Sequence, residues 1–299
     1  MKKVGIVIPT RNRRSELLNL LHCINDQNFT ICEVIIVDSS DQDVVLPGIF
    51  SSDIKVTHIR TKIRSAAEQR NIGKRLLDGK MDYLAFLDDD VLIDADYIAR
   101  LVCIIDTTNA VGVSGVAINR SATKKRTKPS GLAGLVHRIF LLDSKSDGVV
   151  LNSGINIPIR SEEDINFKVD WLIGCSMWRN SAITSIEFER DFEGQSLAED
   201  VIFSVRARAF GNLITNPSVI IDHRESPIER PDTSAHYNMW VVNRRRLIQV
   251  MGGGLARKTA FHLANLGQIV ILVFLGIRKD PKYFAAAKQI VRLSMSREI

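Results

Sequence analysis

The stretch Tyr-Leu-Ala-Phe-Leu-Asp-Asp-Asp, residues 83–90, joins an apolar run to three consecutive carboxylates. The run Tyr83–Leu87 predicts a buried strand, which delivers the aspartates into the loop behind it. Adjacent like charges repel one another unless a cation neutralises them. In an extended segment Asp88 and Asp90 point the same way, and such a pair suits a hard divalent ion that also binds water and phosphate oxygens. The alternative is an Asp-rich turn or helix start, a use that Asp94 nearby illustrates.

Strands and helices alternate on both sides of this stretch within the first 118 residues. Runs of β-branched residues predict strands, and apolar residues at helical spacing predict helices, the first of them capped by Ser15. The predicted strands are Val4–Ile8, Glu33–Val37, Ile54–Ile59, Tyr83–Leu87 and Val111–Ile118. Three helices are predicted: the first begins at Ser15, and the other two span Ser65–Leu77 and Asp94–Asp106. This order predicts an α/β fold with a mostly parallel sheet and helices on both faces, in which a ligand lies beyond the carboxyl ends of the strands.

Three polar side chains outside the aspartate triplet are candidates for that ligand site. Asp38 ends the run Val-Ile-Ile-Val-Asp, where its carboxylate can accept hydrogen bonds from a base or a ribose. An Asx-turn at Asp38 is an equally good interpretation. Arg64 and Arg70 flank small residues at a predicted helix start and could meet phosphates or a base, although an arginine on a helix is usually solvated.

Two more candidates lie in the second half of the chain. Glu199 and Asp200 open an amphipathic helix, where acids are favoured by the helix dipole, but a carboxylate there could also act as a general base. His223 follows the predicted strand Ser218–Ile221 and Asp222. A lone histidine is more often structural than a ligand, and a carboxylate-bound metal nearby would reverse that preference.

Charge is distributed unevenly along the chain. Residues 1–223 carry 27 Lys and Arg against 29 Asp and Glu, whereas residues 224–299 carry 13 against 5, a net charge of +8. Within this basic tail the 19 residues Thr259–Ile277 are uncharged, although only Ile269–Leu275 is purely apolar. The tail therefore predicts an interfacial or re-entrant helix, a membrane span, or a helix that packs on the protein or on a partner.

Cysteine spacing and missing motifs exclude several classes of protein. The four cysteines form no CxxC pair, and Cys23, Cys103 and Cys175 are expected to be small buried hydrophobes in a reducing compartment. The N-terminal apolar run is too short for a secretory signal, so we expect a cytoplasmic protein. No GxSxG, HExxH, P-loop or GxGxxG pattern occurs, which leaves serine hydrolase, zincin, P-loop and NAD-fingerprint functions without support.

Taken in order, seven short motifs resemble the family 2 glycosyltransferases with the GT-A fold, from Val4 to His223. They are Val-Ile-Pro-Thr-Arg-Asn (7–12), Val-Ile-Ile-Val-Asp (34–38), Gln-Arg-Asn-Ile-Gly (69–73), Phe-Leu-Asp-Asp-Asp (86–90), Asp-Trp-Leu-Ile-Gly-Cys-Ser-Met (170–177), Ala-Glu-Asp-Val (198–201) and His223. Each motif alone is only modestly specific, but seven motifs in the order and spacing of the family are strong evidence for the resemblance. One departure is Ser39-Ser40-Asp41, where the family often has Asp-Gly-Ser, so base contacts there are expected to differ.

The resemblance implies a role for each matching residue. Pro9, Thr10, Arg11 and Asp38 would line the base and ribose, with Arg70 and Arg64 holding the nucleotide and its diphosphate. Asp88 and Asp89 would lie near the ribose or sugar, while Asp90 and His223 would bind Mg²⁺ or Mn²⁺ on the diphosphate. Trp171, Gly174 and Cys175 would shape the sugar and acceptor pocket, Asp200 would be the catalytic base, and Glu199 its neighbour.

The resemblance further implies an inverting glycosyltransferase of the hexosyltransferase type, acting in bacterial surface polysaccharide or glycolipid synthesis. Its partners would be a nucleoside-diphosphate sugar, a saccharide or lipid-linked acceptor, and the inner face of the cell membrane; an oligomer is left open. The expected division is a nucleotide-sugar half at 1–118, a variable basic insertion at 119–148, an acceptor half at 149–235 and a basic helical segment at 236–299.

Two other functions compete with this interpretation. A sugar-phosphate nucleotidyltransferase shares such a sheet, but it usually has a glycine-rich loop after the first strand, and Pro9–Arg13 contains no glycine. A non-catalytic polyanion-binding protein would use the basic runs Lys124–Lys128 and Arg244–Arg246. Aromatic residues are sparse in those runs, which argues against stacking on single strands, and no nucleic-acid partner is expected.

Overall fold

The computed structural model describes residues 2–42, 48, 54–77, 79–119, 129–190, 197–224, 226 and 232–295. Its strands are β1 (Val4–Thr10), β2 (Ile31–Asp38), β3 (Lys55–Arg60), β4 (Tyr83–Phe86), β5 (Val91–Ile93), β6 (Gly112–Ile118), β7 (Phe167–Val169), β8 (Ser176–Arg179) and β9 (Leu213–His223). Its helices are α1 (Arg14–Asn25), α2 (Ala66–Leu77), α3 (Tyr97–Thr108), α4 (Gly131–Ile139), α5 (Asn180–Ile183), α6 (Glu199–Ala207), α7 (Thr233–Val250), α8 (Leu255–Arg278) and α9 (Lys282–Met295).

Within the described residues the strands form one nine-stranded mixed sheet in the order β3-β2-β1-β4-β8-β6-β9-β5, with β7 also paired to β9. Strands β3, β2, β1 and β4 are parallel, whereas β8 runs antiparallel between β4 and β6. Strands β6 and β9 are parallel again, and Gly115 lies at the irregularity between them. A Cβ on Gly115 would stand 1.9 Å from the Val219 carbonyl oxygen, so the two strands approach this closely only because residue 115 has no side chain.

Side chains of the central strands alternate between the two faces of the sheet, as the pleat of a β-strand requires. In β1, Ile6 and Ile8 pack on the face covered by α1 and α3, while Val7 packs on the opposite face against α2 and α6. Both cores are almost free of solvent, and the helices contribute amphipathic faces to each. The predicted α/β fold with helices on both faces of the sheet is therefore confirmed.

Several local predictions need correction or lie outside the described residues. Helix α1 begins at Arg14 with Arg13 at its N-cap, and the Ser15 hydroxyl bonds to Glu16, so Ser15 is not the cap. Cys103 is exposed because it lies on the outer face of α3, whereas Cys175 is buried as predicted. The basic run Lys124–Lys128 lies outside the described residues.

The C-terminal helices α7, α8 and α9 pack on one another around a separate small core. One face of α8 is buried there through Phe261, Ala264 and Leu272. By length and composition alone, α8 is long and apolar enough to cross a membrane. The buried core helix of a soluble protein can meet the same two criteria. Its opposite face is apolar and exposed: Leu266, Val270, Val273, Phe274 and Ile277.

Candidate active site

The carboxyl ends of the first parallel strands open into a cleft with a volume of about 550 Å³. Gln69 on α2 holds two of these ends together, since its side-chain amide donates to the carbonyl oxygens of Thr10 (3.0 Å) and Val37 (2.8 Å). The cleft continues across β4 and β9 to α6 and α7. A ligand site at the carboxyl ends of parallel strands is the arrangement expected for such a sheet.

Asp38 lies at the end of β2 but is completely buried and does not line the cleft. Its Oδ1 accepts a hydrogen bond from the Ser40 backbone amide at 2.7 Å, and its Oδ2 contacts His58 and Arg60 at 3.1 Å each. Burial opposes ionisation of Asp38, but the bonds from Ser40, Arg60 and His58 outweigh it and keep its pKa below the usual value. Asp38 thus makes the Asx-turn contact, and Ser39 reaches the cleft instead.

The prediction of an extended aspartate triplet is wrong, because the chain turns at Asp89 and Asp90. Asp88 and Asp90 therefore contact different neighbours. Asp89 is buried and accepts hydrogen bonds from the Thr10 hydroxyl at 2.7 Å and from Arg13 at 3.0 Å. Burial raises the pKa of Asp89 to about 7, and Arg13 and Thr10 offset only part of that effect.

Asp90 lies in the turn between β4 and β5, and its side chain contacts the last residue of β9. Its Oδ1 lies 3.1 Å from Nε2 of His223, and its Oδ2 accepts from Arg13 and from the Ser226 backbone amide, each at 3.2 Å. Burial opposes ionisation, but His223, Ser226 and Arg13 lower the pKa of Asp90 below its usual value. Asp90 and His223, which are 133 residues apart in the chain, thus form one polar pair in the cleft.

Arg70 is a buried cation on α2 that bridges two carboxylates from distant elements. Its Nη1 donates to Glu199 at 2.5 Å and its Nη2 donates to Asp88. Burial alone would lower the pKa of Arg70, but the charges of Asp88 and Glu199 raise it above its usual value. The ion pairs tie the end of β4 to the start of α6, so Arg70 fixes the distance between the aspartate triplet and Asp200.

Asp200 lies in the first turn of α6, beside Glu199. Its Oδ1 accepts a hydrogen bond from the Val201 backbone amide at 2.8 Å, and no side chain of a described residue donates to the carboxylate. Burial raises the pKa of Asp200 to about 6. The preceding residue, Ala198, has a φ of 70°. This left-handed backbone conformation is energetically costly for residues other than glycine. This turn places at the cleft a poorly solvated carboxylate that receives only backbone hydrogen bonds from the described residues.

The segment before β8 forms the floor of the cleft. Trp171 is held by a hydrogen bond from its Nε1 to the Ile157 carbonyl oxygen at 3.1 Å. A Cβ on Gly174 would lie 3.3 Å from both Arg70 and Asp88, so glycine leaves room above their ion pair. Burial raises the pKa of the Cys175 thiol well above its usual value, and the thiol therefore stays protonated at neutral pH.

The cleft brings together 14 of the 15 predicted site residues, all except Asp38. They are Pro9, Thr10, Arg11, Arg64, Arg70, Asp88, Asp89, Asp90, Trp171, Gly174, Cys175, Glu199, Asp200 and His223. Sequence reasoning missed other lining residues: Arg13, Gln69, Asn156, His236, Trp240, Asn243 and Arg244. Arg13 stands in a basic loop that gave no indication which arginine turns inward. In α7 the sequence indicated only the basic run Arg244–Arg246, as part of a polyanion-binding alternative and not of this site.

Comparisons with known proteins identify the family of the chain and proteins of similar fold. The model of the family described as "Glycosyl transferase family 2" matches residues 5–165. A curated protein of Haemophilus influenzae, described as an uncharacterized glycosyltransferase, is 40% identical over 88 residues, a match that spans 29% of each chain.

Solved structures with similar folds cover most of the chain. Residues 1–349 of S. aureus TarS give a TM-score of 0.54 at 13% identity, covering 99% of this chain and 93% of that one. The mannosyltransferase PcManGT of Pyrobaculum calidifontis, in complex with GDP-Man and Mn²⁺, gives 0.55 at 14% identity, covering 98% and 86%. GalNAc-T7 with UDP, GalNAc and Mn²⁺ gives 0.60 at 15% identity, covering 83% and 48%.

Proposed function

Because the chain belongs to glycosyl transferase family 2, we propose that it moves a sugar from a nucleoside-diphosphate sugar to an acceptor hydroxyl with inversion at the anomeric carbon. The observation that carries this proposal is a cleft that Asp90, His223 and Asp200 all line, together with the ion pairs of Arg70 with Asp88 and Glu199. We place the reaction in surface polysaccharide or glycolipid synthesis, with a saccharide or lipid-linked acceptor.

Asp200 is the residue best placed to remove the acceptor proton. Its carboxylate receives no hydrogen bond from a side chain of the described residues, and its raised pKa makes it a stronger base than an exposed aspartate. The acceptor oxygen would form the new bond to the anomeric carbon as the bond to the diphosphate breaks, and its proton would pass to Asp200. Glu199 is engaged by Arg70 and Cys175 stays a thiol, so neither is a ready nucleophile for a two-step mechanism.

A divalent ion fits the residues of the cleft. The described residues contain no group of three or more His, Cys, Asp or Glu side chains placed to hold a metal. Asp90 and His223 nevertheless offer a carboxylate oxygen and an imidazole nitrogen 3.1 Å apart, and Mg²⁺ commonly uses few protein ligands together with substrate phosphates. When bound there, Mg²⁺ or Mn²⁺ would offset the charge that develops on the diphosphate. Arg13 holds the second oxygen of Asp90 and keeps that carboxylate oriented.

The donor proposal predicts metal-dependent nucleotide binding. A panel of nucleoside diphosphates should raise the melting temperature of the protein only with Mn²⁺ or Mg²⁺, since ligands of the native state stabilise it by about 2.7 kcal/mol at one hundred times Kd. Asp90→Asn should lose the metal-dependent part of the shift because a neutral amide binds a hard cation poorly. Asp96→Asn, an exposed aspartate outside the cleft, is the control. An equal shift in wild type and Asp90→Asn would refute the metal assignment.

We also propose that α8 lies on the cytoplasmic face of a membrane rather than spanning it. Its exposed apolar residues include Phe274 and Ile277, 52% and 72% exposed, and basic pairs stand at both ends of its apolar segment. Such a helix binds anionic lipid surfaces through apolar area and charge together. The opposite face packs on α7 and α9, where Asn265 bonds to Arg244 and Ser294, and a spanning helix would lose those contacts.

Charges placed on that exposed face should release the protein from lipid. Phe274→Glu with Ile277→Glu should abolish co-flotation with vesicles of phosphatidylglycerol and phosphatidylcholine, because each carboxylate must otherwise be buried at the lipid boundary. Phe210→Glu is a matched control, since Phe210 is equally exposed (54%) but lies beside the sheet. Equal flotation of all three proteins, or none in wild type, would count against the membrane proposal.

A further inference from the structure

Arg244 on α7 is a buried cation in the wall of the cleft that has no acidic partner among the described residues. Only 3% of it is exposed. Its Nε and Nη2 donate to the Ser153 carbonyl oxygen at 3.2 and 2.7 Å, and its Nη1 donates to the Asn265 side-chain oxygen at 3.0 Å. Its guanidinium carbon lies 3.9 Å from the centre of the Trp240 ring and 4.9 Å from that of Phe261. All of these partners are neutral.

An uncompensated charge in such a place is costly, because burial removes hydration that neutral hydrogen bonds replace only in part. Burial lowers the pKa of Arg244 to about 9, which still leaves the guanidinium positive at neutral pH. Other arginines behave differently: Arg13 and Arg70 in the cleft face carboxylates, and Arg246, two residues further along α7 and outside the cleft, pairs with Glu189 at 2.9 Å.

Asn265 shows how easily this charge could be neutralised within the protein. Its side-chain oxygen already lies 3.0 Å from Nη1 of Arg244, so an aspartate at position 265 would complete an ion pair with almost no change of shape. The amide instead holds the guanidinium without cancelling its charge. A positive group that is positioned, desolvated and part of the lining of a ligand cleft is the arrangement expected of an oxyanion site.

We propose that Arg244 binds an anionic group of the acceptor, a phosphate or a carboxylate. This inference rests on the proposed function, because it identifies the anion as part of the molecule that receives the sugar. The wall formed by α7 adjoins the turn that carries the candidate base, since Asn243 donates to the Leu197 carbonyl oxygen at 2.7 Å. The residues assigned to the donor diphosphate, Asp90 and His223, lie instead at the ends of β4 and β9. Arg244 therefore lies on the acceptor side of the cleft.

The test is calorimetric titration of the full chain with methyl phosphate and, separately, acetate, at constant ionic strength. The donor site is filled beforehand with Mn²⁺ and the nucleoside diphosphate that gives the largest thermal shift. We expect one anion to bind per chain, and the stronger of the two ligands reports whether the acceptor carries a phosphate or a carboxylate.

Two variants isolate the contribution of Arg244. Asn265→Asp should raise the melting temperature and weaken anion binding at least about ten-fold, because the new carboxylate competes for the guanidinium. This variant changes the charge beside Arg244 and leaves its guanidinium and the bonds to Ser153 in place. Arg246→Gln is the matched control, since it removes an arginine of the same helix that already has an acidic partner and lies outside the cleft; its anion affinity should equal that of wild type.

Three results would overturn the inference. The first is nucleotide binding without anion binding, and the second is anion binding that disappears once the nucleotide is bound, which would assign Arg244 to the donor. The third is an Asn265→Asp variant that is more stable but binds the anion as tightly as wild type, which would make Arg244 a structural residue. Failure of wild type to bind any nucleotide would instead refute the proposed function, and this inference with it.

Discussion

Replacing Asp200 by asparagine should lower kcat for sugar transfer by about 10²- to 10⁴-fold while donor binding is retained, because the amide cannot accept the acceptor proton. The measurement is steady-state transfer at saturating donor, together with a nucleotide-induced thermal shift on the same protein. Asp164→Asn, an exposed aspartate outside the cleft, should behave as wild type. Normal turnover in Asp200→Asn would remove Asp200 as the base.

The pH profile provides a second readout of the same prediction. The raised pKa of Asp200, about 6, means that the carboxylate is ionised and active above pH 6 and becomes protonated below it. The rate should therefore be level at neutral pH and fall about ten-fold for each pH unit below 6. An exposed aspartate would keep the rate level down to about pH 4. A profile that is flat to that pH would contradict the burial of this group in the working enzyme.

Removing the positive charge of Arg70 should cause a large loss of stability. Arg70→Met leaves the carboxylates of Asp88 and Glu199 near one another without a cation, and breaking a buried pair in this way costs about 3–5 kcal/mol of unfolding free energy. Urea unfolding of the two proteins measures the difference. The matched control is Arg75→Met on the same helix, whose pairs with Glu68 and Glu187 are partly exposed and should contribute no more than about 1 kcal/mol.

The double variant Arg70→Met with Glu199→Gln distinguishes an electrostatic cause from lost packing. If the uncompensated carboxylate is the cause, neutralising Glu199 should restore part of the lost stability, because only Asp88, which is 31% exposed, then remains without its partner. Lowering the pH should also reduce the difference between wild type and Arg70→Met, since protonation removes the unpaired charges. Losses that are strictly additive and independent of pH would show that Arg70 stabilises the fold by packing alone.

Much of the fold follows from local pattern. Strands β1, β2, β3, β4 and β6 and helices α1, α2 and α3 lie within a few residues of their predicted positions, because the period of apolar residues is a local property. The short strands β5, β7 and β8 were not predicted, and β8, Ser176–Arg179, enters the sheet antiparallel. Its four residues contain too few positions to show a period, and its direction depends on the path of the chain before it.

The site was predictable as a set of residue types at strand ends and not as a set of contacts. The sequence placed Asp88–Asp90 behind a buried strand, but the turn at Asp89 separated side chains that an extended segment would have kept together. Asp38 illustrates the same limit. Its position at the end of β2 was correct, yet His58 and Arg60 on the neighbouring strand engage its carboxylate below the cleft.

The amino-acid sequence by itself determined which segments become strands and helices and which chemical groups stand at their ends, because periodicity and turn chemistry act over a few residues. Only the tertiary structure decided which charges meet. Arg70 and Glu199 are 129 residues apart, and Arg244 and Asn265 belong to different helices. Such pairs depend on how whole elements pack, and their energies depend on burial, a property that a residue acquires only when the rest of the chain surrounds it.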